Sequence, residues 1–371
     1  MNKVLLKNAF IHPITQSPFF GDLLVGNGII LDIGLNLAAM SDTRVYDCAG
    51  LYLFPGFIDV HTHLGLYDEG IGEVGNDAND SIEPLNPHIR ALDGVYPQDP
   101  AFAEAVRAGI TTVHVMPGSA NIIGGTTSVI KTSGSNIQTM LVKETAGLKI
   151  ALGENPKRVH SYGKKNSLTR MGIMGRLREI FYEAKYCEEP EKFRLAPIIK
   201  ALEKEIPVRI HAHRADDILS AIRFAEEFAL DLRIEHCTEG HLIANELADR
   251  GLKVSVGPTL TRRSKDELKH KSWQTYQVLS GKGIEVSITT DHPYIPIQYL
   301  NICAAIAVRE GLSEQLALEG MTILPARNLG LEHRIGSVAK GKDADLVLWS
   351  HHPFYFMAKP KWTMINGIFI E

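Results

Sequence analysis

The stretch "PVRIHAHRADDILSAIRFAEEFALDLRIEHCTEG", residues 207–240, decides the fold class. Two short apolar runs that end in histidine flank a segment whose apolar residues recur every three or four positions. A strand, a helix and a second strand in this order are typical of a parallel α/β sheet. Similar units recur along the chain from about residue 57 onward and give about eight strand candidates. We therefore predict an α/β fold, and a (β/α)₈ TIM barrel rather than an open sheet.

Both ends of the chain have a different pattern. Residues 1–54 contain short runs such as "KVLLKNAFI" and "GDLLVGNGIILDIG", separated by Gly and Asn turns that are typical of hairpins. The last segment, 336–371, returns to short strands and turns. We therefore predict a small β-sandwich domain built from both termini, residues 1–54 and 336–371, and a barrel over residues 55–335.

Composition and charge are those of an ordinary globular protein. Of the 371 residues, 44% are hydrophobic and 22% are charged, and the formal net charge is −4. There is no basic stripe, which argues against nucleic acid as a partner. The N-terminal residues lack the apolar core of a signal peptide and no window could span a membrane, so we expect a cytoplasmic protein without a membrane partner. The four separated cysteines are expected to be free thiols.

Histidine and aspartate end several of the predicted strands. They stand at the ends of four separate runs: His61 and His63, His211 and His213, His236, and Asp291. Residues two apart on a strand point to the same face, and the carboxyl ends of barrel strands form the active-site mouth. Imidazole and carboxyl groups resist burial unless they are paired or bind metal. The pattern therefore predicts a divalent metal site with one or two ions, for which Zn fits best and Fe, Mn or Co also fit.

These motifs resemble the amidohydrolase superfamily, whose members are metal-dependent barrel hydrolases. The resemblance covers nearly the whole chain. "LFPGFIDVHTHLG" (53–65) is similar to the entry into the first barrel strand of the family. "PARNLGLEHRIGSVAKGKDADLVLW" (325–349) is similar to the barrel exit of imidazolonepropionase-like members, which carry a small β-sandwich from both termini.

The resemblance implies roles for the strand-end residues. His61 and His63 would hold the more buried metal together with Asp291, which would also act as the catalytic proton acceptor. His211 and His236 would hold a second ion, or His211 would complete a one-metal site. His236 would also help to stabilise charge on the substrate.

His213 is the second histidine of the "HAH" pair and is assigned differently. It fits the family's ligand position less well than His211, so we predict that it faces the substrate; a hydrogen bond that supports a ligand is the alternative. Two-metal members bridge their ions with a strand-four group, and "GLKIALGENPKR" (147–158) offers both Lys149, as a carboxylated lysine, and Glu154. We favour Glu154 because it stands at the strand end.

Cations on the following loops are candidates for substrate binding. Arg170 and Arg262 stand on loops after predicted strands and could anchor a substrate carboxylate. A run with Lys157, Arg158, Lys164 and Lys165 could do the same, although a solvated charge run is the commoner interpretation.

The resemblance implies an enzyme that cleaves a C–N bond of a small molecule with metal-activated water. We expect a cyclic amide or a peptide-like amide as its substrate. Ring deamination is the alternative within the superfamily, but "HAHRADD" (211–217) lacks the Glu that follows the strand-five histidine in deaminases. A non-catalytic binding protein on the same fold is the alternative outside it. A homo-oligomer is compatible with the sequence.

Overall fold

Two sheets and their connecting helices make up the computed structural model, which describes residues 3–161, 168–187 and 193–370. The strands are β1 (Lys3–Ile11), β2 (Phe19–Gly26), β3 (Ile29–Gly34), β4 (Thr43–Asp47), β5 (Tyr52–Pro55), β6 (Phe57–Thr62), β7 (Ile110–Val115), β8 (Ile123–Lys131), β9 (Leu141–Ala151), β10 (Val208–Ala212), β11 (Leu232–His236), β12 (Lys253–Val256), β13 (Glu285–Ile288), β14 (Leu346–Trp349), β15 (Pro360–Ile365) and β16 (Ile368–Ile370). The helices are α1 (Pro100–Arg107), α2 (Ile137–Met140), α3 (Glu154–Val159), α4 (Arg170–Lys185), α5 (Ala196–Leu202), α6 (Ala215–Phe228), α7 (Ala244–Ala248), α8 (Gln274–Gly281), α9 (Leu300–Arg309), α10 (Glu314–Glu319) and α11 (Ile323–Leu329). In these ranges, none of the helices combines the length and apolar character needed to cross a bilayer.

The central sheet has eight strands in the spatial order β13-β12-β11-β10-β9-β8-β7-β6. Neighbours from β9 to β13 pair in parallel, as do β6 and β7. The carboxyl ends of these parallel strands therefore meet at one rim. The prediction of an eight-stranded barrel is therefore confirmed in strand number and overall architecture.

One strand departs from the predicted alternation. β8 pairs antiparallel with both β7 and β9, and it runs through the Gly-rich segment 118–134. The strict (β/α)₈ pattern is therefore corrected at this strand. The backbone needs glycine here: Gly125 has a φ of 123°, and an added Cβ would lie 2.2 Å from the Ile89 carbonyl oxygen.

The two edge strands of the central sheet come together and nearly close it. The Thr289 hydroxyl, just after β13, donates to the His61 carbonyl oxygen at 2.7 Å and to Asp59 of β6 at 2.5 Å. The His63 amide donates to the His292 carbonyl oxygen at 2.9 Å. These bonds hold the end of β6, with its histidines, beside the segment that follows β13.

Both chain ends contribute to the second sheet. Its order is β16-β15-β14-β5-β1-β2-β3, and β4 pairs with β1. β14, near the C-terminus, pairs antiparallel with β5, near the N-terminus. A separate sheet from both termini agrees with the predicted architecture, while the boundaries at 54 and 336 stay predictions.

Helix α6 shows how the sequence pattern positions the barrel strands. Its buried residues recur at helical spacing, among them Ile218, Ala221, Ile222 and Ala225. Every residue of the adjacent strand β10 is buried. A helix with one apolar face and a fully buried strand form the parallel unit that the sequence predicts. Their packing determines where along the barrel axis the histidines at the end of β10 lie.

Lys131, at the end of β8, links the central sheet to the second sheet. Its ammonium lies 3.0 Å from Asp343 and pairs closely with Asp345, and the side chains of Lys131 and Asp345 are only 2% and 5% exposed. Arg334 also pairs with Asp343, at 3.0 Å. Asp345 is therefore the carboxylate that depends most on Lys131.

We expect Lys131→Met to lower the free energy of unfolding by about 3–5 kcal/mol, because it leaves a buried carboxylate without its cation. Urea unfolding measures the change. Lys340→Met is the control, since that side chain is 74% exposed and its loss should cost at most about 0.5 kcal/mol. Equal stability of the two variants would contradict the prediction.

Candidate metal centre

The predicted strand-end residues converge at one rim of the barrel. His61 and His63 lie at the end of β6, His211 and His213 at the end of β10, and His236 is the last residue of β11. Asp291 follows β13 with a left-handed φ of 55°. All six side chains are buried. Packing alone does not explain so many buried polar groups in one place.

The ligand atoms form two overlapping sets. Asp291 Oδ1 lies 3.4 Å from His61 Nε2 and 3.2 Å from His63 Nε2. Ligand atoms of His61, His236 and Asp291 all lie within 4.8 Å of one another, and so do those of His211, His213 and His236. His236 belongs to both sets, so the arrangement is one continuous cluster.

His236 enters this cluster through a break in strand alternation. The pairing of β10 with β11 sets His211 opposite Glu235, so regular alternation would turn His236 to the other face. His236 instead has a φ of 72°, and its ring centroid lies 4.3 Å from that of His211 and 4.5 Å from that of His61. Such a conformation is uncommon outside glycine and is typical of functional sites.

Each of the five histidines has its Nδ1 atom engaged by a neighbouring group. The partners are Glu235 Oε2 for His61 at 2.8 Å, the Met116 carbonyl oxygen for His63 at 2.8 Å, Ser119 Oγ for His211 at 2.9 Å, Thr238 Oγ1 for His213 at 2.7 Å, and the Gly257 carbonyl oxygen for His236 at 2.8 Å. A carbonyl oxygen accepts only, so His63 and His236 carry their proton on Nδ1. Their Nε2 atoms then present a lone pair, which is how metal-binding histidines are oriented.

The free ligand atoms fit a cation. In the described part of the chain, the buried Nε2 atoms of His61, His211 and His236 have no hydrogen-bond partner. Asp291 Oδ1 also makes no bond of acceptable geometry, despite its short distance from two imidazoles. Buried polar atoms are rarely left without partners, and nitrogen and carboxylate oxygen are suitable ligands for zinc.

The pKa shifts favour the protonation states that metal binding needs. Burial lowers the pKa of His61, His211 and His213 well below the ordinary histidine value, so these rings are neutral at neutral pH. Burial alone would raise the pKa of Asp291, but the electrostatic effect of the adjacent His236 lowers it to about 2. Asp291 is therefore ionised.

The two strand-four candidates lie in different environments. Lys149 is fully buried on β9, its Nζ donates to the Pro117 carbonyl oxygen at 3.1 Å, and burial lowers its pKa to about 8. Burial is the largest cause of the low pKa of His61, and the charge of Lys149 is the second. Lys149 therefore lies close to the cluster. Glu154 begins α3 beyond the strand, and its backbone amide donates to Glu267 Oε2 at 2.9 Å. Glu154 was favoured as a strand-end residue, but β9 ends three residues before it; the identity of the bridging group stays a prediction.

The predicted substrate-binding residues are dispersed. Arg170 pairs with Asp217 at 2.9 Å and lines a cavity between α4 and α6. Arg262 is exposed on the loop between β12 and α8. Only His213 lies within the cluster, where it belongs to a set of ligand atoms.

The cationic run is divided in a similar way. Lys157 and Arg158 are exposed on α3, and Lys164 and Lys165 lie outside the described residues.

Two carboxylates of the site had not been singled out from the sequence. Glu235 is fully buried between His61 and Arg209. Glu267, from the loop after β12, lies 3.8 Å from both His211 Nε2 and His213 Nε2. Glu235 directly precedes a ligand candidate on its strand, which is a usable signal. Glu267 stands in the charged run "SKDELKHK" (264–271), which has no such signal.

Comparisons with known proteins agree with this geometry. Over 94% of its length the chain is 26% identical to amidohydrolase tasK of Hapsidospora irregularis, and it spans only 40% of that protein. It is 26% identical to a 5'-deoxyadenosine deaminase of Methanobrevibacter smithii, covering 94% of this chain and 84% of that one. It is 24% identical to an imidazolonepropionase of Thermoplasma acidophilum, covering 88% and 82%.

Solved structures of amidohydrolases and of a deaminase are also similar to the chain. An amidohydrolase from Thermotoga maritima MSB8 is 44% identical, with 99% of both chains covered and a TM-score of 0.97. An adenosine deaminase from Xanthomonas campestris with bound zinc shares the fold at 16% identity, with 99% of this chain and 92% of that one covered and a TM-score of 0.58. A sequence model of the amidohydrolase family matches residues 52–369. With its rim of histidines and aspartate, the chain thus belongs to the amidohydrolase family.

Proposed function

We propose that the protein is a metal-dependent hydrolase that cleaves a C–N bond in a small cyclic amide or peptide-like amide. One observation carries the proposal: within the described ranges, the buried Nε2 atoms of His61, His211 and His236 have no partner, and these histidines form one cluster with the ionised Asp291 at the barrel mouth. A binding protein that had lost the chemistry would not need to keep this set. The imidazolonepropionase relative supports a cyclic substrate.

His61, His63 and Asp291 would hold one cation, and His211 with His236 would hold the second. Zinc suits these nitrogen and oxygen ligands best. We now assign the strand-four position to Lys149, because a buried lysine whose pKa lies near 8 has a substantial neutral fraction that can react with carbon dioxide. The resulting carbamate would supply the negative charge that the site lacks at this strand.

A divalent cation supplies two effects when bound, a lower pKa for its water and polarisation of the substrate oxygen. Asp291 accepts the proton of the attacking water and returns it to the leaving nitrogen, which fits a carboxylate that is ionised and buried at the mouth. His213 lies in the same cluster and would stabilise negative charge on the substrate oxygen, whereas the two ring nitrogens of His236 are taken by the Gly257 carbonyl and the cation in this assignment. The Nδ1 partners hold these rings in place and reduce reorganisation during the reaction.

Ring deamination is the second candidate function. The deaminase relative supports it, since it is 26% identical to the chain over 94% of the chain's length. The absence of Glu from "HAHRADD" opposes it, because deaminases of the superfamily commonly carry a proton-transferring Glu shortly after the strand-five histidine. Ammonia release from aminated purines or pyrimidines would identify this reaction.

We expect removal of metal with dipicolinate to abolish hydrolysis, with kcat/KM falling at least about a hundredfold, because cation charge stabilisation is worth several kcal/mol. The substrates are a panel of dipeptides, N-acyl amino acids and small lactams. Adding back Zn²⁺, Mn²⁺, Co²⁺ or Fe²⁺ to the metal-free protein should restore the activity and identify the preferred ion.

Two outcomes would count against this function. Turnover that is unchanged in metal-free protein would exclude metal-dependent hydrolysis. Tight metal binding without turnover of any amide, lactam or aminated ring would favour a non-catalytic binding protein.

A further inference from the structure

A buried carboxylate from the loop after the seventh barrel strand, β12, lies near the two histidines at the end of the fifth, β10. Glu267 lies in the loop between β12 and α8, and its side chain is 1% exposed. Its Oε1 atom is 3.8 Å from His211 Nε2 and equally 3.8 Å from His213 Nε2. A carboxylate oxygen at equal distance from two imidazole nitrogens is placed where a further ligand of the same ion could lie.

The distances fit ligands that share a cation. Two ligand atoms that each lie about 2.0–2.2 Å from a tetrahedral ion are roughly 3.3–3.6 Å apart. The 3.8 Å separations exceed this range by a few tenths of an ångström, which side-chain rotation can remove. They are also too long for direct hydrogen bonds between the carboxylate and the rings. His211 Nε2 is buried and has no partner among the described residues, so it is free to bind an ion here.

The surrounding backbone is built to admit the Glu267 carboxylate. Its Oε2 atom accepts the Glu154 amide at 2.9 Å, which fixes the group at the start of α3. The adjacent Gly153 has a φ of 82°, and an added Cβ would lie 2.7 Å from Oε2. The glycine therefore leaves the room that the carboxylate fills. Glu267 Oε2 is thus bonded to the backbone, and Oε1 is the oxygen that lies near the two histidines.

Lys265 is the cation now nearest to this oxygen. Its Nζ atom lies 2.5 Å from Glu267 Oε1 and donates to Asn155 Oδ1 at 2.9 Å. The Glu267 contact is an ion pair without hydrogen-bond geometry. A lysine side chain can withdraw toward Asn155 and solvent, because it is 15% exposed, whereas the carboxylate cannot.

We propose that Glu267 is a protein ligand of the cation held by His211, with His213 as its neighbour in the same set. The inference rests on the proposed metal function and adds a carboxylate from the loop after β12 to the ligands of that site. Lys265 is then the opposing charge, whose ammonium competes with the ion for Glu267 Oε1.

Co²⁺ titration of the metal-free full-length protein tests the proposal, with metal content measured by mass spectrometry and visible absorption. We expect Glu267→Gln, which keeps an acceptor for the Glu154 amide, to raise the dissociation constant of the weaker-bound ion at least about tenfold. Lys265→Met should lower that constant about fivefold, because it removes a positive charge next to the ion. The two variants break the same ion pair but should shift metal affinity in opposite directions.

A purely structural role of the pair predicts a different result. If Glu267 serves only as the partner of Lys265, both variants should change Co²⁺ affinity in the same direction or not at all, and that result overturns the proposal. If Glu267→Gln does not fold, as judged by circular dichroism, an unchanged affinity in Lys265→Met is enough to overturn it. A wild-type protein that binds no Co²⁺ contradicts the proposed function itself.

Discussion

Asp291→Asn is expected to reduce kcat/KM of the metal-loaded protein by roughly 10² to 10⁴. The amide cannot take up a proton from water, and it replaces an ionised carboxylate whose Oδ1 lies 3.2–3.4 Å from two imidazole Nε2 atoms. Asparagine has nearly the same volume, so the site keeps its shape. The loss should therefore appear mainly in kcat, measured on whichever panel substrate the wild-type protein hydrolyses.

Asp249→Asn is the matched control, because Asp249 is exposed at the end of α7, away from the barrel mouth. It should retain wild-type kcat/KM. Metal content should be measured for both variants, since Asp291 is also a ligand candidate. If Asp291→Asn kept its metal and its activity, Asp291 could not be the proton acceptor.

The barrel could be predicted from the sequence because most of its strands are buried on both faces. In the sequence, a fully buried strand such as β10 is recognisable as a short apolar run, and the adjacent α6 is recognisable as an amphipathic helix. The reversed strand β8 could not be predicted in this way. It is fully buried too, but its Gly and Thr residues give the run the composition of a loop. Its direction depends on pairing with β7 and β9, which periodicity does not reveal.

The cluster of histidines could be predicted for a related reason. Carboxyl ends of parallel strands meet at one rim, so His61, His211 and His236 had to come close together once the fold was correct. Exact position along a strand was harder to predict. Glu154 stands three residues beyond the end of β9 and starts a helix, whereas Lys149 lies within the strand and faces the site.

Contacts made by loops could not be predicted. Arg170, predicted to stand on a loop, begins α4, and its guanidinium pairs with Asp217 of α6. Glu267 enters the site from a charged run that is typical of solvent-exposed loops. Whether such a residue points inward depends on the path of the loop between β12 and α8, and local sequence patterns do not determine that path.

Next to the candidate metal centre, a chain of buried hydrogen bonds and ion pairs connects His61 to α11. Glu235 Oε2 accepts the His61 Nδ1 proton at 2.8 Å, and its Oε1 pairs with Arg209 at 2.5 Å. Arg209 also donates to Asn328 Oδ1 at 2.6 Å, which ties the pair to α11. Burial alone would raise the pKa of Glu235, but Arg209 lowers it, so the carboxylate is ionised. Glu235 thus fixes the tautomer of His61 and also neutralises a fully buried guanidinium.

We therefore expect Glu235→Gln to lower the free energy of unfolding by about 3–5 kcal/mol, because Arg209 is left buried without its counterion. The same change should weaken metal binding by about 10–100-fold, since His61 loses its carboxylate partner. Urea unfolding of the metal-free protein and Zn²⁺ titration measure the two effects. Glu246→Gln, at an exposed position of α7, should change stability by at most about 0.5 kcal/mol.

The double variant Arg209→Met/Glu235→Gln separates the two roles of Glu235. Removing both charges eliminates the uncompensated guanidinium. The loss of unfolding free energy in the double variant should therefore be smaller, by about 0.5–3 kcal/mol, than the sum of the losses in the two single variants. Its Zn²⁺ affinity should stay as low as that of Glu235→Gln, because His61 still lacks a carboxylate at Nδ1. If affinity recovered together with stability, Glu235 would act on the metal centre only through the integrity of the barrel and not through the orientation of His61.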